Sequence, residues 1–333
     1  MRNKEQLKNG KWQMTDGRWT NIICNLQTVI CLLILTSCTD PYFKDDYKDN
    51  SPTSGKLKVY YDEGLQLHIK NQAYTFETQY HDAHVELIET SENEAIEALY
   101  KDSCKAIFIA RQLSEKENKM FQSANLTPFF SNVAVSGVAV ITNISTPINK
   151  LRMQEVISLL GKSASLKDSS GNEIIVNVLF DKKNSGVMHY LLDSVLQQNS
   201  FATHCGVLGS TLETINYVAQ NKNTIAFIDF AWLSDVDDPL YKSNKDKLKF
   251  LAVENKNNEF VYPSQNSFKL ATYPFSRGVY FYRRASDFTL AKGFESFVAG
   301  PKGQMVFLKQ GLLPTKQQER SIEVKFEEMA TQK

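Results

Sequence analysis

From Lys56 onward the apolar positions fall into an alternating rhythm. "KLKVYY" reads as a strand, and Leu65, Leu67, Ile69, Tyr74 and Phe76 then recur at helical spacing. "AHVELIET" predicts a strand, "ENEAIEALYK" a helix, "KAIFIA" a strand and "SEKENKMFQSA" a helix. Ser114 stands at the N-cap of that last helix with Glu117 three residues on, the spacing of a capping box. Strands alternating with helices predict a mostly parallel sheet covered by helices. "FFSNVAVSGVAVITN" then interrupts the rhythm, too long and too alternating for an ordinary internal strand. After it the rhythm resumes with helix "MQEVISLLG", strand "EIIVNVLF", helices "SGVMHYLLDSVLQQ" and "TLETINYVAQN", and strand "TIAFIDFAWL". A mainly helical tail, "FTLAKGFESFVAGPKGQMVFLKQGLLP", closes the pattern at Pro314. Two α/β units joined by extended segments predict a bilobed α/β protein of two mostly parallel sheets.

The first residues follow another pattern. Arg2, Lys4, Lys8, Lys11 and Arg18 precede the apolar stretch "TVICLLILTSC". That stretch is short of the roughly 20 residues needed to cross a bilayer as a helix. It fits the apolar region of a secretion signal. Leu35-Thr36-Ser37-Cys38 resembles a bacterial lipobox, which implies cleavage before Cys38 and lipidation of that residue. Residues 1–37 are then the signal peptide; the alternative is a signal anchor that is never cut. Residues 38–55 are polar, with Pro, Ser and Gly, and predict a disordered tether. Lys44-Asp45-Asp46 resembles the acidic signal that sends some Bacteroidetes lipoproteins to the cell surface. The expected location is therefore a bacterial membrane, on its periplasmic side or at the cell surface.

Composition narrows the function. The chain has 333 residues, 42% hydrophobic and 23% charged, with a formal charge of +1. Without residues 1–37 the charge becomes −2. No basic stripe suggests a nucleic acid partner. Cys104 and Cys205 remain in the exported body, either as a disulfide or as two small buried side chains. Gly161-Lys162-Ser163 is not a P-loop, because Val156 stands where the loop needs its first Gly and the segment follows a helix. The five His show no metal-ligand spacing, and Asp235, Asp237 and Asp238 lack the Gly and terminal Glu of a calcium loop. No nucleophile–base motif suggests an enzyme, and no cofactor is expected.

The remaining candidates are strand-to-helix joints, where free N–H groups and the helix dipole favour anions. Asp62-Glu63-Gly64, Arg111-Gln112-Leu113-Ser114 and Asn184-Ser185-Gly186 all follow strands. In an open α/β sheet, ligands collect outside the carboxyl ends of strands. Each joint alone is also read as a simple helix cap.

Over residues 56–316 the chain resembles the phosphate-binding proteins of bacterial ABC importers. Ser185-Gly186 looks like their Ser-Gly-Thr phosphate loop. "NTIAFIDFAWL", "YPFSRGVYFY" and "GFESFVAGPKGQMVFLKQGLLP" resemble three further family segments. The resemblance implies a type 2 periplasmic-binding-protein fold with a cleft between lobes joined by hinge strands. We expect residues 56–135 plus 250–333 as lobe 1 and residues 136–249 as lobe 2. It further implies phosphate or a related oxyanion as ligand, with an ABC permease and its ATPase as partners. The expected ligand residues are Asp62, Gly64, Arg111, Ser114, Asn184, Ser185 and Gly186. The chain departs from the family pattern at Val187, which replaces Thr, at Asp181, which replaces Arg, and at Arg111, which replaces Asp. An exchange of charges between loops would make Asp62 the acceptor and Arg111 the cation. The other reading is a relative without transport, acting as an adhesion, sensor or assembly lipoprotein with an altered cleft.

Overall fold

The computed structural model describes residues 50–168, 170–285 and 288–316. The expected signal peptide, Cys38 and residues 39–49 of the expected tether lie outside the described residues.

The first strand-helix rhythm forms as predicted. It runs β1 (Gly55–Asp62), a 3-10 turn (Glu63–Leu65), α1 (Gln66–Gln79), β2 (Ala83–Thr90), α2 (Glu92–Tyr100), β3 (Ala106–Ile109) and α3 (Glu115–Ser123). Ser91 and Ser114 cap α2 and α3 with complete capping boxes. The long apolar segment becomes one strand of 15 residues, β4 (Phe129–Asn143). β5 (Lys150–Leu151), α4 (Met153–Gly161), β6 (Ser165–Lys167), β7 (Glu173–Ile175) and β8 (Asn177–Phe180) follow. The helix predicted from Ser185 divides into α5 (Gly186–Tyr190) and a π-helical continuation, Leu191–Leu196. Next come β9 (Cys205–Val207), α6 (Thr211–Gln220), β10 (Thr224–Asp229), a 3-10 turn (Phe230–Trp232) and α7 (Pro239–Asn244). The chain continues through β11 (Leu248–Phe250), β12 (Ala252–Glu254), β13 (Phe260–Val261), α8 (Gln265–Lys269) and β14 (Ser276–Arg283). It closes with α9 (Leu290–Val298), α10 (Pro301–Lys309) and β15 (Leu313–Pro314).

The main sheet runs β2-β1-β3-β14-β4-β10-β8-β9, with β11 and β15 also on β4. Its flanks are parallel: β1 with β2 and β3, and β8 with β9 and β10. Its middle is antiparallel, because β14 pairs β3 and β4, and β10 pairs β4. β4 pairs β14 from Phe129 to Gly137 and β10 from Val138 to Thr142. One strand therefore serves both halves of a bilobed fold. This explains its composition: from Val138 to Asn143 every residue is buried, and a strand covered on both faces reads as continuous apolar sequence.

Two local differences from expectation have physical causes. Residues 50–55 are packed rather than a free tether. The Leu290 N–H donates to Asn50 Oδ1 (2.8 Å), a cap that Thr289 itself does not supply, and Gly293 leaves room for the backbone of Pro52. Ala252–Val253 pair with β5 and not with the strands around β1, so this stretch stays with the second half of β4. The tail returns to α1: Phe76 meets Phe294 at 5.1 Å between ring centroids, and Gln72 donates to the Gly303 carbonyl (2.8 Å). Cys104 and Cys205 are free thiols, and burial pushes their pKa values up to about 12 and about 11. Among the described residues no helix is long and apolar enough to cross a membrane. No His/Cys/Asp/Glu cluster among them suits a metal ion.

Candidate functional site

The carboxyl ends of β1, β8 and β10 come together beside the point where β4 passes from β14 to β10. β1 ends at Asp62, β10 ends at Asp229, and Asp181 directly follows β8. Arg277 on β14 stands opposite Ser136 on β4. Asp229 is fully buried and ties this crossing together. Its Oδ1 accepts from Ser136 Oγ (2.7 Å) and from the Ala231 N–H (2.9 Å), and its Oδ2 accepts from Arg277 Nη2. The Arg277 guanidinium also lies 5.7 Å from the Tyr190 ring centroid.

Above this floor the two halves meet. Ser185 caps α5: its Oγ accepts from the Met188 N–H (3.1 Å) and donates to Asp181 Oδ1 (2.5 Å). Gly186 has no room for a side chain. A Cβ there would lie 2.6 Å from Asp62 Oδ2 and 2.7 Å from Glu92 Oε1. Glu92, also fully buried, accepts from the Ala110 N–H (2.8 Å) and from Arg111 Nε (3.1 Å). Glu63 reaches the start of α6, where its carboxylate accepts from the Thr211 N–H (3.2 Å) and Thr211 Oγ1 (3.1 Å). At the rim Lys182 Nζ donates to Glu89 (2.7 Å).

Asp62 is the anomaly. It is 2% exposed, yet among the described residues nothing donates a hydrogen bond to its carboxylate. Burial pushes its pKa well above the usual carboxylate range, and Glu92 adds to this while Arg277 opposes it. Burial likewise raises Asp181 to about 7, against the bonds from Ser185 and the Lys182 N–H. Buried carboxyls of this kind hold protons near neutrality, so they are able to donate as well as accept.

Of the residues singled out from sequence, Asp62, Gly64, Ser185 and Gly186 are brought together. A Cβ on Gly64 would lie 3.0 Å from Asp229 Cβ. Asn184 is exposed and takes a left-handed turn (φ 59°), which aims the chain into α5. Arg111 and Ser114, expected at the ligand, are engaged elsewhere. Arg111 donates from Nε to Glu92, from both Nη groups to Glu117 (2.8 Å each), and to Asn93 and the Gln112 carbonyl (3.1 Å each). A guanidinium with all its donors taken is a poor receptor for a further anion. Ser114 is exposed and serves as the cap of α3. Sequence reasoning missed Glu92, Ser136, Asp229 and Arg277 as site residues. The available signal was a charge inside an apolar run, as in "AFIDF" and "FSRGVYF".

The PBP superfamily domain model matches residues 50–302. The chain belongs to the PBP superfamily. Among curated relatives, Protein SphX of Synechococcus elongatus is 26% identical over 185 residues, 52% of either chain. Phosphate-binding protein PstS of Staphylococcus epidermidis is 21% identical over 204 residues, 59% of either chain. The matches thus span about half to three fifths of the length of these relatives. A putative phosphate ABC transporter substrate-binding protein of Clostridium perfringens, solved with bound phosphate, shares the fold with a TM-score of 0.66 at 18% identity. It aligns over 79% of this chain and 100% of its own. An ABC-type phosphate transport receptor of Vibrio cholerae gives 0.61 at 17% identity, over 78% of this chain and 100% of its own. At this meeting of strand ends the carboxyls of Asp62, Glu63, Glu92, Asp181 and Asp229 gather against Arg277, and the nearby Arg111 is already engaged.

Proposed function

We propose that this PBP superfamily member is an exported, lipid-anchored solute-binding protein that captures phosphate or a related oxyanion for an ABC permease and its ATPase. The observation that carries this reading is the meeting of Ser185-Gly186, which looks like a phosphate loop, with Asp62-Gly64 from the other half of the sheet. The similarity to a phosphate-binding protein of Staphylococcus epidermidis and a phosphate transport receptor of Vibrio cholerae supports it. An incoming oxyanion takes the place of the Asp62 and Glu92 oxygens against Gly186. It accepts from backbone N–H groups and from carboxyls that have kept their protons. Binding is then proton-linked and tightens as pH falls below about 7, the value to which Asp181 is raised.

A thermal-shift screen of residues 39–333 against phosphate, sulfate and phosphonates tests the reading. Ligand at 100 times its dissociation constant stabilises the fold by about 2.7 kcal/mol. The absence of any shift with every oxyanion removes it. The anchor is tested separately: Cys38→Ala abolishes incorporation of labelled fatty acid, and unchanged labelling overturns the lipobox.

A second reading has its own observation. Carboxylates crowd Gly186, and Asp181 stands where the resembled family has Arg. That favours a relative whose cleft no longer serves transport and which works as an adhesion, sensor or assembly lipoprotein. A screen without any oxyanion response supports this second reading.

A further inference from the structure

Two arginines border this site, Arg111 half-buried and Arg277 buried, and they differ in how their donors are used. Arg111 spends its guanidinium on Glu92, Glu117, Asn93 and the Gln112 carbonyl. Arg277 is more deeply buried, 5% exposed, and its Nη2 donates to Asp229. Its Nε is buried without a partner. Burying a guanidinium with an idle donor costs free energy that a well-packed fold normally avoids. The guanidinium lies in a field that includes the unbonded Asp62 carboxylate, with Glu92 and Asp229 close by. A buried donor without a partner, beside a carboxyl that accepts no hydrogen bond, describes the outline of a missing polar ligand.

The location of Arg277 adds a consequence. Ser276↔Gly137 and Arg277↔Ser136 form the end of the β14/β4 ladder, and the β10/β4 ladder begins at Val138. Arg277 therefore stands where β4 changes partners. Asp229 holds its Nη2 and is itself held by Ser136, so the fork has a fixed orientation.

We propose that Arg277, on the hinge strand, supplies the counter-charge for the ligand, and that the ligand is sensed at the crossing of the two halves through it. This rests on the reading of the cleft as an oxyanion site. An oxygen of a tetrahedral oxyanion on Nε gives that buried donor its partner while Asp229 keeps Nη2. The Asp62 carboxyl, which burial keeps protonated, donates to a further ligand oxygen and so gains the bond it lacks.

Residues 39–333 contain one tryptophan, Trp232, three positions after Asp229 and 6% exposed, so its fluorescence reports on this crossing. The test titrates inorganic phosphate, reading Trp232 emission and calorimetric affinity together. Arg277→Lys keeps the charge that Asp229 needs but loses the planar fork, and affinity falls by about tenfold or more. Arg277→Gln combined with Asp229→Asn removes both charges, so no lone buried carboxylate remains. Its melting curve without phosphate stays cooperative, affinity falls by about a hundredfold, and the Trp232 response disappears. Should the double variant not fold, Arg277→Lys decides. Arg111→Lys weakens binding by less than about threefold. The proposal is overturned if a folded Arg277 variant binds phosphate as tightly as the parent, or if Arg111→Lys loses as much as Arg277→Lys. In either case the oxyanion reading survives. A parent that binds no phosphate, sulfate or phosphonate removes both.

Discussion

The two ends of β14 carry the same residue type in opposite circumstances. At the far end Arg283 donates from Nε to Glu295 (2.7 Å) and from Nη1 to the Ala285 carbonyl, and covers the Phe129 ring at 4.4 Å. Glu295 also accepts from Ser131 (2.7 Å) and Lys292 (2.9 Å). Burial alone would raise the Glu295 carboxyl, but these bonds outweigh it and hold it below the usual range. At the hinge end Arg277 leaves its buried Nε without a partner, whereas no Arg283 nitrogen is so left, and the nearby Asp62 and Asp181 carboxyls are pushed up instead. Both clusters are buried, so burial does not separate them. Completeness of hydrogen bonding does. A finished network is consistent with a structural role, and an unfinished one in a cleft marks the place where a ligand belongs.

Breaking the finished end has the largest expected effect. Arg283→Met leaves Glu295 buried against Lys292 and Ser131 only, and stability falls by about 3–5 kcal/mol, the usual loss when one partner of a buried pair is removed. Urea unfolding measures it, and phosphate affinity of the folded fraction stays unchanged. A loss below about 1 kcal/mol means that the two ends of the strand do not differ as argued.

The unfinished end responds to pH in the opposite sense to a paired carboxylate. Asp181 rises from 3.8 to about 7 in the folded state. Between those values the native protein holds a proton that the unfolded chain has released. The associated stability is present at acid pH and is lost as pH rises toward 7, at about 1.4 kcal/mol per unit. Asp181→Asn keeps an oxygen for Ser185 and the Lys182 N–H but cannot ionise. The variant therefore gains roughly 2–4 kcal/mol over the parent at pH 8 and little at pH 4. Unfolding free energies at the two pH values decide this; equal pH slopes for parent and variant show Asp181 to be ordinarily ionised.

A smaller effect comes from the contact between the halves. Gly186→Ala places a methyl against Asp62 and Glu92, at 2.6 and 2.7 Å in the present geometry. Asp62 is held by no cap hydrogen bond, while Glu92 is pinned by the Ala110 N–H and Arg111. A cost of about 1–2 kcal/mol follows, in the range for overpacking. The variant is more open in small-angle scattering, and an unchanged radius of gyration argues against closure at this point.

Some of this was legible from sequence for identifiable reasons. The strands and helices from Gly55 to Ser123 follow local periodicity, and the Ser114–Glu117 box needs only three residues of context. The joints at Asp62 and Ser185 were visible because a strand turning into a helix is a local event. The antiparallel middle was not, since β14 and β4 lie about 140 residues apart in sequence and no local pattern states their register. Glu92 shows the same limit. At the first turn of α2 it reads as a solvated helix residue, and its burial against Ala110, Arg111 and Gly186 is a tertiary fact. Asp229 was read as part of an apolar strand and Arg277 only as part of a family-like segment, because a charge in a buried run has meaning only once its partner is known. Arg111 misled for the converse reason: it occupies a suggestive joint, but its acceptors come from α2 and α3.

The smallest predicted effect separates a cap from a receptor at Ser185. Its hydroxyl does two things, accepting from the Met188 N–H and donating to Asp181. Ser185→Ala removes the cap, at about 1 kcal/mol. It also takes a donor from Asp181, which raises that carboxyl further and makes part of the loss vanish at low pH, where the carboxyl is protonated in both proteins. Ser185→Thr restores the hydroxyl and the stability. Binding is the second readout: loss of one hydrogen bond to a charged ligand weakens phosphate by roughly ten- to a hundredfold. A variant that loses stability but binds phosphate as the parent does leaves Ser185 as a cap alone, and the hinge end of β14 would then have to hold the ligand without it.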